Sequence, residues 1–567
     1  MPAPRFHGWF VVAAAAAVLL FRLGGPALWD DDEPKNAACS LAMLDSGDWV
    51  VPTFNGRLRV EKPPLVNWLQ IGGYTLCGRN ETGARLSSAL LTIGTCLLTW
   101  RIGCLLLGPA VGLLGGLVMA TCVGTAVVGR AATPDAPLTF FTTLAFYLFV
   151  CGGGGRDTGC TRLSAWSAAG VGMACGAAVL TKGPVGVVLP LVAFLLFAIW
   201  RQSGTAGGWR EKVTNLRPLT ILCVAMGVAL PWYAWVTIRT DGLWLHGFLI
   251  VHNVGRFTAT MEGHSGSLLY YPGIVAIGLF PWSIVLAAML AHATAVLRST
   301  RDDDRRAATQ LLVCWMLAWI GSFSCAGTKL PGYIWPAYPA LAIGTALFLV
   351  DWARGRVACF DWCPDPGRAS ELVMRLAWSI LALTGLGFTI GLPIAAAQFA
   401  PGGEWLGLFG LIPLVAAWIA WQCQSHGARQ WSLATVAGGA CLFVTLMASI
   451  AAESFSHAQG PRTLVEQLRE PSQDCRWACL WNVPPSLVFY TGALIEKLDT
   501  AADVADHLLR HPLARVVIDS RQEQLVGSVL PTGCGVLARV PTLTNHDYLL
   551  IGRLPLVPDD PPLALLQ

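Results

Sequence analysis

Charge is the scarcest resource of this sequence. Asp, Glu, Lys and Arg together make up 13% of its 567 residues, against 54% hydrophobic ones, and the mean hydropathy of +0.56 excludes an ordinary soluble enzyme. The net charge of +4 is too small for a nucleic-acid partner, and the positive residues are better explained by membrane topology. No C-x-x-C pair suggests a metal knuckle. No strand-glycine-helix fingerprint offers a nucleotide cradle, so a soluble nucleotide-sugar donor is not indicated. Cysteine is plentiful, at 18 residues, but Cys96, Cys104, Cys122, Cys175, Cys223, Cys314 and Cys441 lie within apolar runs, where the thiol packs as a small hydrophobe. Cys39 with Cys77, or two of Cys475, Cys479 and Cys534, stay open as disulfides, since spacing alone establishes none.

Long apolar runs are what the chain has instead. A hydrocarbon core about 30 Å thick takes roughly 20 apolar residues per helix. Such runs fall near 7–29, 84–106, 109–129, 134–151, 163–181, 184–200, 217–238, 270–297, 309–326, 331–350, 374–398, 405–421 and 430–452, which predicts about thirteen spans. Arg22 followed by WDDDE is no small-residue cleavage site, so the first run is a span and not a leader. Basic loops stay in the cytoplasm. Those after the fourth, sixth, eighth and tenth spans carry Arg156 and Arg162; Arg201, Arg210, Lys212 and Arg217; Arg298, Arg301, Arg305 and Arg306; and Arg354, Arg356, Arg368 and Arg375. The N-terminus is then expected inside, with the 30–83 loop and the tail outside. Lys62, Arg130, Lys182, Arg256 and Lys329 break that rule on the outer side, which makes them functional candidates.

The first outer loop concentrates the charge. Asp32 and Glu33 precede Pro34, a residue favoured at the first helical position. Ala37, Ala38, Leu41, Ala42 and Leu44 then repeat at helical spacing until Gly47. The spacing predicts a short amphipathic helix on the membrane surface with a carboxylate pair at its N-terminus; Asp30 and Asp31 read as a solvated face. In Glu61-Lys62-Pro63-Pro64 the prolines stop a helix from running back through the charges. Residues 453–567 regain ordinary soluble composition. Trp477–Trp481, Arg515–Ile518, Val536–Val540 and Tyr548–Ile551 read as buried strands, and Pro485–Tyr490 and Ala501–Leu509 as helices. The expected organisation is an all-α membrane bundle over 1–452 and a small α/β extracytoplasmic domain over 453–567. The glycine run within Cys151–Cys160 reads as a flexible cytoplasmic loop.

The outer-side exceptions sit in short motifs: Asp32-Glu33-Pro-x-x-Ala, Gly47-Asp-Trp, Glu61-Lys62-Pro-Pro-Leu-x-x-Trp68, Glu81-x-x-Ala-Arg-Leu86, Arg130-x-x-x-Pro-Asp135, Thr181-Lys-Gly-Pro184, His252-Asn253-x-x-Arg256-Phe257 and Lys329-Leu-Pro-Gly-Tyr-Ile-Trp-Pro-Ala-Tyr-Pro339. Taken in order over residues 1–350, this set resembles the bacterial GT-C glycosyltransferases of the aminoarabinose transferase and protein mannosyltransferase kind. The resemblance implies a bundle with surface helices in its first loop and a transferase in the bacterial inner membrane. It would take a sugar from a polyprenyl-phosphate carrier at the outer face, with lipid A, another glycolipid or a protein as acceptor.

That chemistry needs cations at the departing phosphate, where electrostatic stabilisation is usually the largest catalytic contribution. Lys62, Arg256 and Lys329 are the first choices, with Tyr333 as a neutral donor and Lys182 and Arg130 behind them. The bland alternative for each cation is a headgroup-level anchor. Asp32, with Glu33 and Glu61, supplies carboxylates: a base toward an acceptor hydroxyl, or a holder of the acceptor. Asp at a helix start is also a good cap, and the helix dipole there favours the charged form, which weakens a base. His252, Asn253 and Asp135 complete the set, with His264 nearby; a lone loop histidine is more often a structural hydrogen-bonder. The sequence specifies no cofactor with certainty, and a divalent metal on Asp32, Glu61 and His252 is left open, no close ligand spacing demanding one. The rival class is a lipid transporter, which should show internal repeats and Gly/Pro-interrupted half-helices. The sequence shows neither clearly.

Overall fold

The computed structural model describes residues 4–29, 31–153, 163–201, 209–258, 266–299, 302–360, 363–456, 460–467, 475–542 and 546–554. Asp30, His264, Arg301 and residues 154–162, with Arg156, Arg162 and most of the glycine run, lie outside them. The chain divides into two compact units, residues 1–26 with 39–454, and residues 27–38 with 455–567.

The first unit is helical. Among the described residues seven helices are long and apolar enough to cross a membrane, or up to nine if each of two bent pairs is one span. Small residues set the packing, as bilayer helices associate by close van der Waals fit. A Cβ on Gly103 would lie 2.8 Å from Gly112 Cα, so helices Glu81–Leu107 and Pro109–Thr121 touch backbone to backbone. Asn80 starts the first of these, its side chain accepting from Gly83 N–H at 2.9 Å. Tyr338–Ala353 is buried from Tyr338 through Trp352 and forms the core around which the others pack. At its far end Asp351, buried, is bonded to His292 Nε2 at 2.7 Å and paired with Arg305.

Two expected continuous spans are broken, which corrects the expectation of no interrupted helices. Pro109–Thr121 and Val123–Gly129 meet at 60°, with Cys122 extended between them; Tyr270–Gly278 and Trp282–Arg298 meet at 119°. In the second pair Pro281 has no N–H to continue the ladder. The two breaks complete each other: Val123 N–H donates to Phe280 C=O at 2.9 Å, and Trp282 Nε1–H to Thr121 Oγ1 at 2.9 Å. Backbone groups released inside an apolar medium thereby regain partners.

The first loop holds two helices, Asp32–Ser46 and Leu65–Cys77. The first begins at Asp32, so Asp32 is a first-turn residue and not the cap. Between the helices lies a two-stranded hairpin, β1 (Thr53–Phe54) and β2 (Arg57–Leu58). Asn55 and Gly56, at φ +48° and +73°, make the Asn-Gly turn whose twist suits antiparallel strands. A buried network of Ser40 Oγ to Gln70 Oε1 (2.6 Å), Asn67 Nδ2 to Ser40 Oγ (2.9 Å) and Gln70 Nε2 to Ala132 O (3.3 Å) fixes the Leu65–Cys77 helix.

The second unit contains a five-stranded sheet in the order β4-β3-β5-β7-β6. Strands β3 (Trp477–Leu480), β4 (Ile495–Leu498) and β5 (Arg515–Asp519) run parallel; β6 (Cys534–Val540) and β7 (Tyr548–Arg553) are antiparallel. The two helices expected from the sequence, Pro485–Thr491 and Ala501–Arg510, connect β3 to β4 and β4 to β5. β4 was not legible, because its Glu496 and Lys497 are exposed and only Ile495 and Leu498 turn inward. Val504, Leu508, Val516, Ile518, Leu549 and Ile551 form the core. Residues 27–38 belong to this unit: Leu28 N–H donates to Tyr490 Oη at 2.9 Å, and Trp29 N–H to Glu33 Oε2 at 2.9 Å. Cys39, Cys77, Cys475, Cys479 and Cys534 are all free thiols, so none of the disulfides left open exists here.

Candidate active site

Five separated segments of the first unit, one of them represented by Leu138 alone, build one small cavity of about 100 Å³. Sites for drug-sized ligands run to roughly 300–1,000 Å³, so this one is the size of a headgroup. Glu61 and Lys62 reach it from the strand end between the hairpin and Pro63-Pro64. Lys182 comes from the end of helix Ala165–Lys182, and Phe248, His252, Asn253 and Arg256 from the wide-turned helix Gly247–Gly255 and the residue after it. Thr328 and Tyr333 come from the segment leading into the core helix.

Each group is held from behind. Lys182 is paired with Asp135, which opens helix Asp135–Cys151, and its ammonium stands 4.8 Å over the Tyr333 ring, a cation–π geometry. A Cβ on Gly332 would lie 3.0 Å from an Asp135 carboxylate oxygen, so glycine in the Pro-Gly-Tyr sequence gives this carboxylate its room. Gly183, at φ +90°, ends the Lys182 helix in a conformation favoured by glycine, and a Cβ there would come within 2.5 Å of the Phe248 ring. Arg256 Nη1 reaches Tyr333 Oη at 3.5 Å. The two backbones are joined by Thr328 N–H to Arg256 O (3.1 Å) and Gly327 N–H to Phe257 O (2.9 Å). Asn253 Nδ2 donates to Phe248 O at 2.7 Å.

Of the residues singled out in the sequence, Glu61, Lys62, Lys182, His252, Asn253, Arg256 and Tyr333 line this cavity, with Asp135 in its wall through Lys182. Lys329 does not line it; its ammonium is buried and donates to Ala326 O at 3.0 Å. Arg130 is a correction. Its guanidinium donates to the carbonyls of Val18, Leu19, Phe21 and Arg22 at 2.9–3.3 Å, which caps the C-terminal end of helix Pro4–Leu20, where orphan carbonyls need donors. Asp32 and Glu33 belong to the second unit.

Glu61 pairs with Arg59. Arg59 Nε donates to Glu61 Oε2 at 3.0 Å, with the arginine side chain 3% exposed, and Trp244 Nε1 donates to Arg59 O at 3.0 Å. Arg59, Thr328 and Phe248 escaped the sequence reading. Only Arg59 left a signal, as one more outer-loop cation in Arg-Leu-Arg-Val-Glu-Lys. Its charge also bears on Cys39: burial pushes that thiol up, and the guanidinium beside it partly opposes the rise.

The cavity is lined by Lys62, Arg256 and the Asp135-paired Lys182, by the Glu61 carboxylate that Arg59 pairs, and by the Tyr333 hydroxyl. That arrangement suits a phosphate anion. Among the described residues no group of three or more His, Cys, Asp or Glu side chains stands together to hold a metal ion. Glu61 and His252 share the cavity, but the set does not fit a divalent ion held by protein ligands alone.

A helical membrane protein with a cationic headgroup-sized cavity defines a class, and comparison with known proteins narrows it. Residues 11–245 match the family model described as dolichyl-phosphate-mannose-protein mannosyltransferase. The chain is 26% identical over 475 residues to the undecaprenyl phosphate-alpha-4-amino-4-deoxy-L-arabinose arabinosyl transferase of Pectobacterium carotovorum, which covers 82% of this chain and 80% of that one. It is 30% identical over 318 residues to an uncharacterized protein of Aquifex aeolicus, 56% of this chain and 67% of that one. The fold matches the crystal structure of ArnT from Cupriavidus metallidurans bound to undecaprenyl phosphate with a TM-score of 0.75 at 22% identity, over 96% of this chain and 98% of that one. The protein is therefore a multi-pass membrane glycosyltransferase. In sequence it is similar to the bacterial aminoarabinose transferases and, over residues 11–245, to the protein mannosyltransferases.

Proposed function

We propose that this enzyme moves a sugar from a polyprenyl phosphate to an envelope glycolipid such as lipid A, at the outer face of the bacterial inner membrane. One observation carries the reading: Lys62, Lys182, Arg256 and Tyr333, spread over 272 residues of sequence numbering from 62 to 333, share one cavity of headgroup size. The relatives' names support the choice of donor. The proposed topology is thirteen crossings with the N-terminus inside. They are the seven long helices, the two bent pairs, and the shorter helices Phe6–Leu20, Asp135–Cys151, Ala165–Lys182 and Val185–Trp200. The sheet-containing unit would then be a periplasmic α/β domain, with its boundary near residue 453.

In the reaction, the bond between the anomeric carbon and the phosphate oxygen breaks and the acceptor oxygen bonds to that carbon. Negative charge collects on the lipid phosphate, where Lys62, Arg256 and the Tyr333 hydroxyl receive it without reorganisation. Lys182, already neutralised by Asp135, sets the Tyr333 ring. The carboxylate of Asp32 takes the proton when the acceptor is a hydroxyl and only positions it when the acceptor is an ionised phosphate, which needs no base. A protein O-mannosyltransferase reading is favoured by the family match over residues 11–245; it keeps the donor and changes the acceptor. The test is Asp32→Asn in purified, reconstituted enzyme with radiolabelled donor. Transfer is expected to fall by at least a hundredfold with the protein still folded, and full activity rejects the role. Mass spectrometry of envelope lipids and proteins after gene deletion separates the two acceptors by which class loses its sugar.

A further inference from the structure

A second hollow of the first unit, of about 900 Å³, is not used by the transfer chemistry above. Helix Pro218–Arg239 lines it with Val228, Pro231, Trp232, Trp235 and Arg239, and the Gly47-Asp48-Trp49-Val50 segment that follows helix Asp32–Ser46 lines it from the first loop. Leu180 lines this hollow and Lys182, two residues on in the same helix, lines the headgroup cavity, so the two stand at the same level of the bundle. Aromatic rings separate them. Trp232, in the hollow, meets the Trp244 ring edge to face at 4.8 Å, and Trp244 stacks at 4.7 Å on Phe248, which lines the headgroup cavity.

Length and lining suit a hydrocarbon chain. The step from Val228 to Arg239 covers about 16 Å of helix at 1.5 Å per residue, half of a hydrocarbon core about 30 Å thick, so the lining runs through roughly one leaflet. Two of its tryptophans have their polar edge committed to the protein: Trp68 Nε1–H donates to Trp49 O at 2.9 Å and Trp232 Nε1–H to Val50 O at 3.2 Å. Trp49 and Trp235 are 48% and 58% exposed, as tryptophans of a headgroup-level belt are. Among the described residues the charged lining is one ion pair. Arg239 Nη2 donates to Asp48 Oδ2 at 2.9 Å, with the two side chains 46% and 28% exposed. Asp48 Oδ1 accepts from the Val50 and Val51 N–H groups at 3.0 and 3.2 Å. Against the upward push of partial burial, these bonds and the guanidinium hold the Asp48 carboxyl below its ordinary range, so both charges are present at neutral pH. An arginine has five N–H donors, and this pair engages one of them. The mouth is thus charged but neutral in sum, unlike the headgroup cavity, which Lys62, Lys182 and Arg256 all line.

We propose that this hollow binds a zwitterionic glycerophospholipid of the phosphatidylethanolamine type from the surrounding leaflet, with an acyl chain along the tryptophan-lined wall, the phosphate on Arg239 and the ammonium on Asp48. Guanidinium–phosphate and ammonium–carboxylate contacts are charge-assisted hydrogen bonds, and adding the zwitterion to the ion pair gives a ring of alternating charges with no surplus. The same mouth selects against other heads. An anionic phospholipid, or the phosphorylated head of a glycolipid, sets a like charge against Asp48 with one cation to offset it. A choline brings a cation with no N–H to donate.

The test takes the full-length protein, delipidated in detergent, adds equimolar dioleoyl phosphatidylethanolamine, phosphatidylglycerol and phosphatidylcholine, and counts lipid adducts by native mass spectrometry. Wild type is expected to hold one phosphatidylethanolamine with at least fivefold preference over either competitor. Asp48→Asn leaves the cation alone at the mouth and should turn the preference toward phosphatidylglycerol. Arg239→Gln should hold phosphatidylethanolamine at least tenfold more weakly and Arg239→Lys within threefold of wild type; exposed ion pairs contribute little to stability, so these variants are expected to fold. Val228→Trp fills the hollow and leaves the mouth intact, and should also weaken binding at least tenfold. Val228 is 36% exposed, so the larger ring is not forced into the core, and this variant carries the test when an ion-pair variant unfolds. The inference is overturned when wild type holds the three lipids alike or prefers phosphatidylglycerol, when folded Arg239→Gln or Val228→Trp binds as wild type does, or when Asp48→Asn keeps the wild-type preference. Polyprenyl phosphate or lipid A, added as a competitor, should leave the adduct in place; displacement by either makes the hollow a substrate-chain groove and overturns the inference too. Sugar transfer does not enter this measurement, so a wild type that binds the lipid but transfers nothing defeats the proposed function alone.

Discussion

Removing the Asp135 carboxylate should weaken the bundle and strengthen its hold on an anion. The Lys182 and Asp135 side chains are 12% and 17% exposed, close to the buried limit. Exposed ion pairs contribute about 0–1 kcal/mol, whereas removing one partner of a buried pair costs about 3–5 kcal/mol, because the remaining charge is stranded. Residual exposure puts Asp135→Asn at the lower end, near 3 kcal/mol, about a hundredfold in the folding equilibrium. Unfolding in mixed detergent micelles, followed by protease accessibility, measures it. The double variant Asp135→Asn/Lys182→Met removes the stranded charge and should recover most of the loss, since a buried pair replaced by apolar groups is often near neutral. The single variant also frees the ammonium beside Tyr333, so polyprenyl phosphate should bind a few-fold more tightly while transfer slows, the Tyr333 ring having lost its fixed cation. The reasoning is refuted when Asp135→Asn unfolds like wild type, or when the double variant is no more stable than the single.

Other consequences follow from the same geometry. Arg130→Met should cost about 3 kcal/mol, the scale of losing charge-assisted hydrogen bonds to buried carbonyls, and leave polyprenyl-phosphate affinity unchanged; a loss of affinity at unaltered stability restores Arg130 to the phosphate site. The sheet-containing unit should be acid-sensitive through His507, which is buried and whose pKa burial lowers from the ordinary 6.5 against the opposing pull of Glu496. A base with a depressed folded pKa favours the fold when neutral. Its contribution is complete above pH 6.5 and is lost as pH falls through the lower folded value. Hydrogen exchange in helix Ala501–Arg510 should rise over that interval in wild type and stay flat in His507→Gln.

Much of this architecture could be read in advance because the bilayer imposes it. Apolar length marked the helices, and charges on the wrong side of the positive-inside rule marked Lys62, Lys182 and Arg256, which do line one cavity. The same rule misread Arg130, since a cation buried against helix-end carbonyls and one facing a phosphate look alike in sequence. Cys122 carries no breaker of its own, so the bend there was invisible; the bond that completes it runs from Val123 N–H to Phe280 O, 157 positions on. The wide turns of Gly247–Gly255 left no periodic trace either. Arg59 was passed over because nothing in the sequence sets one outer-loop cation apart from another; its pairing with Glu61 and the Trp244 bond to its carbonyl show only in the structure. Asp32 and Glu33 were read with the membrane charges, but the chain around them packs with residues 455–567, a grouping set by contacts such as Leu28 with Tyr490.

The central claim is that Lys62 and Arg256 receive the lipid phosphate. Photo-crosslinking with a diazirine-bearing polyprenyl phosphate in reconstituted membranes tests it directly. Lys62→Ala and Arg256→Ala should each reduce labelling at least tenfold with the helical bundle intact by thermal unfolding. A non-phosphorylated polyprenol probe should label wild type and variants alike. Undiminished phosphate-dependent labelling of both variants would contradict the account.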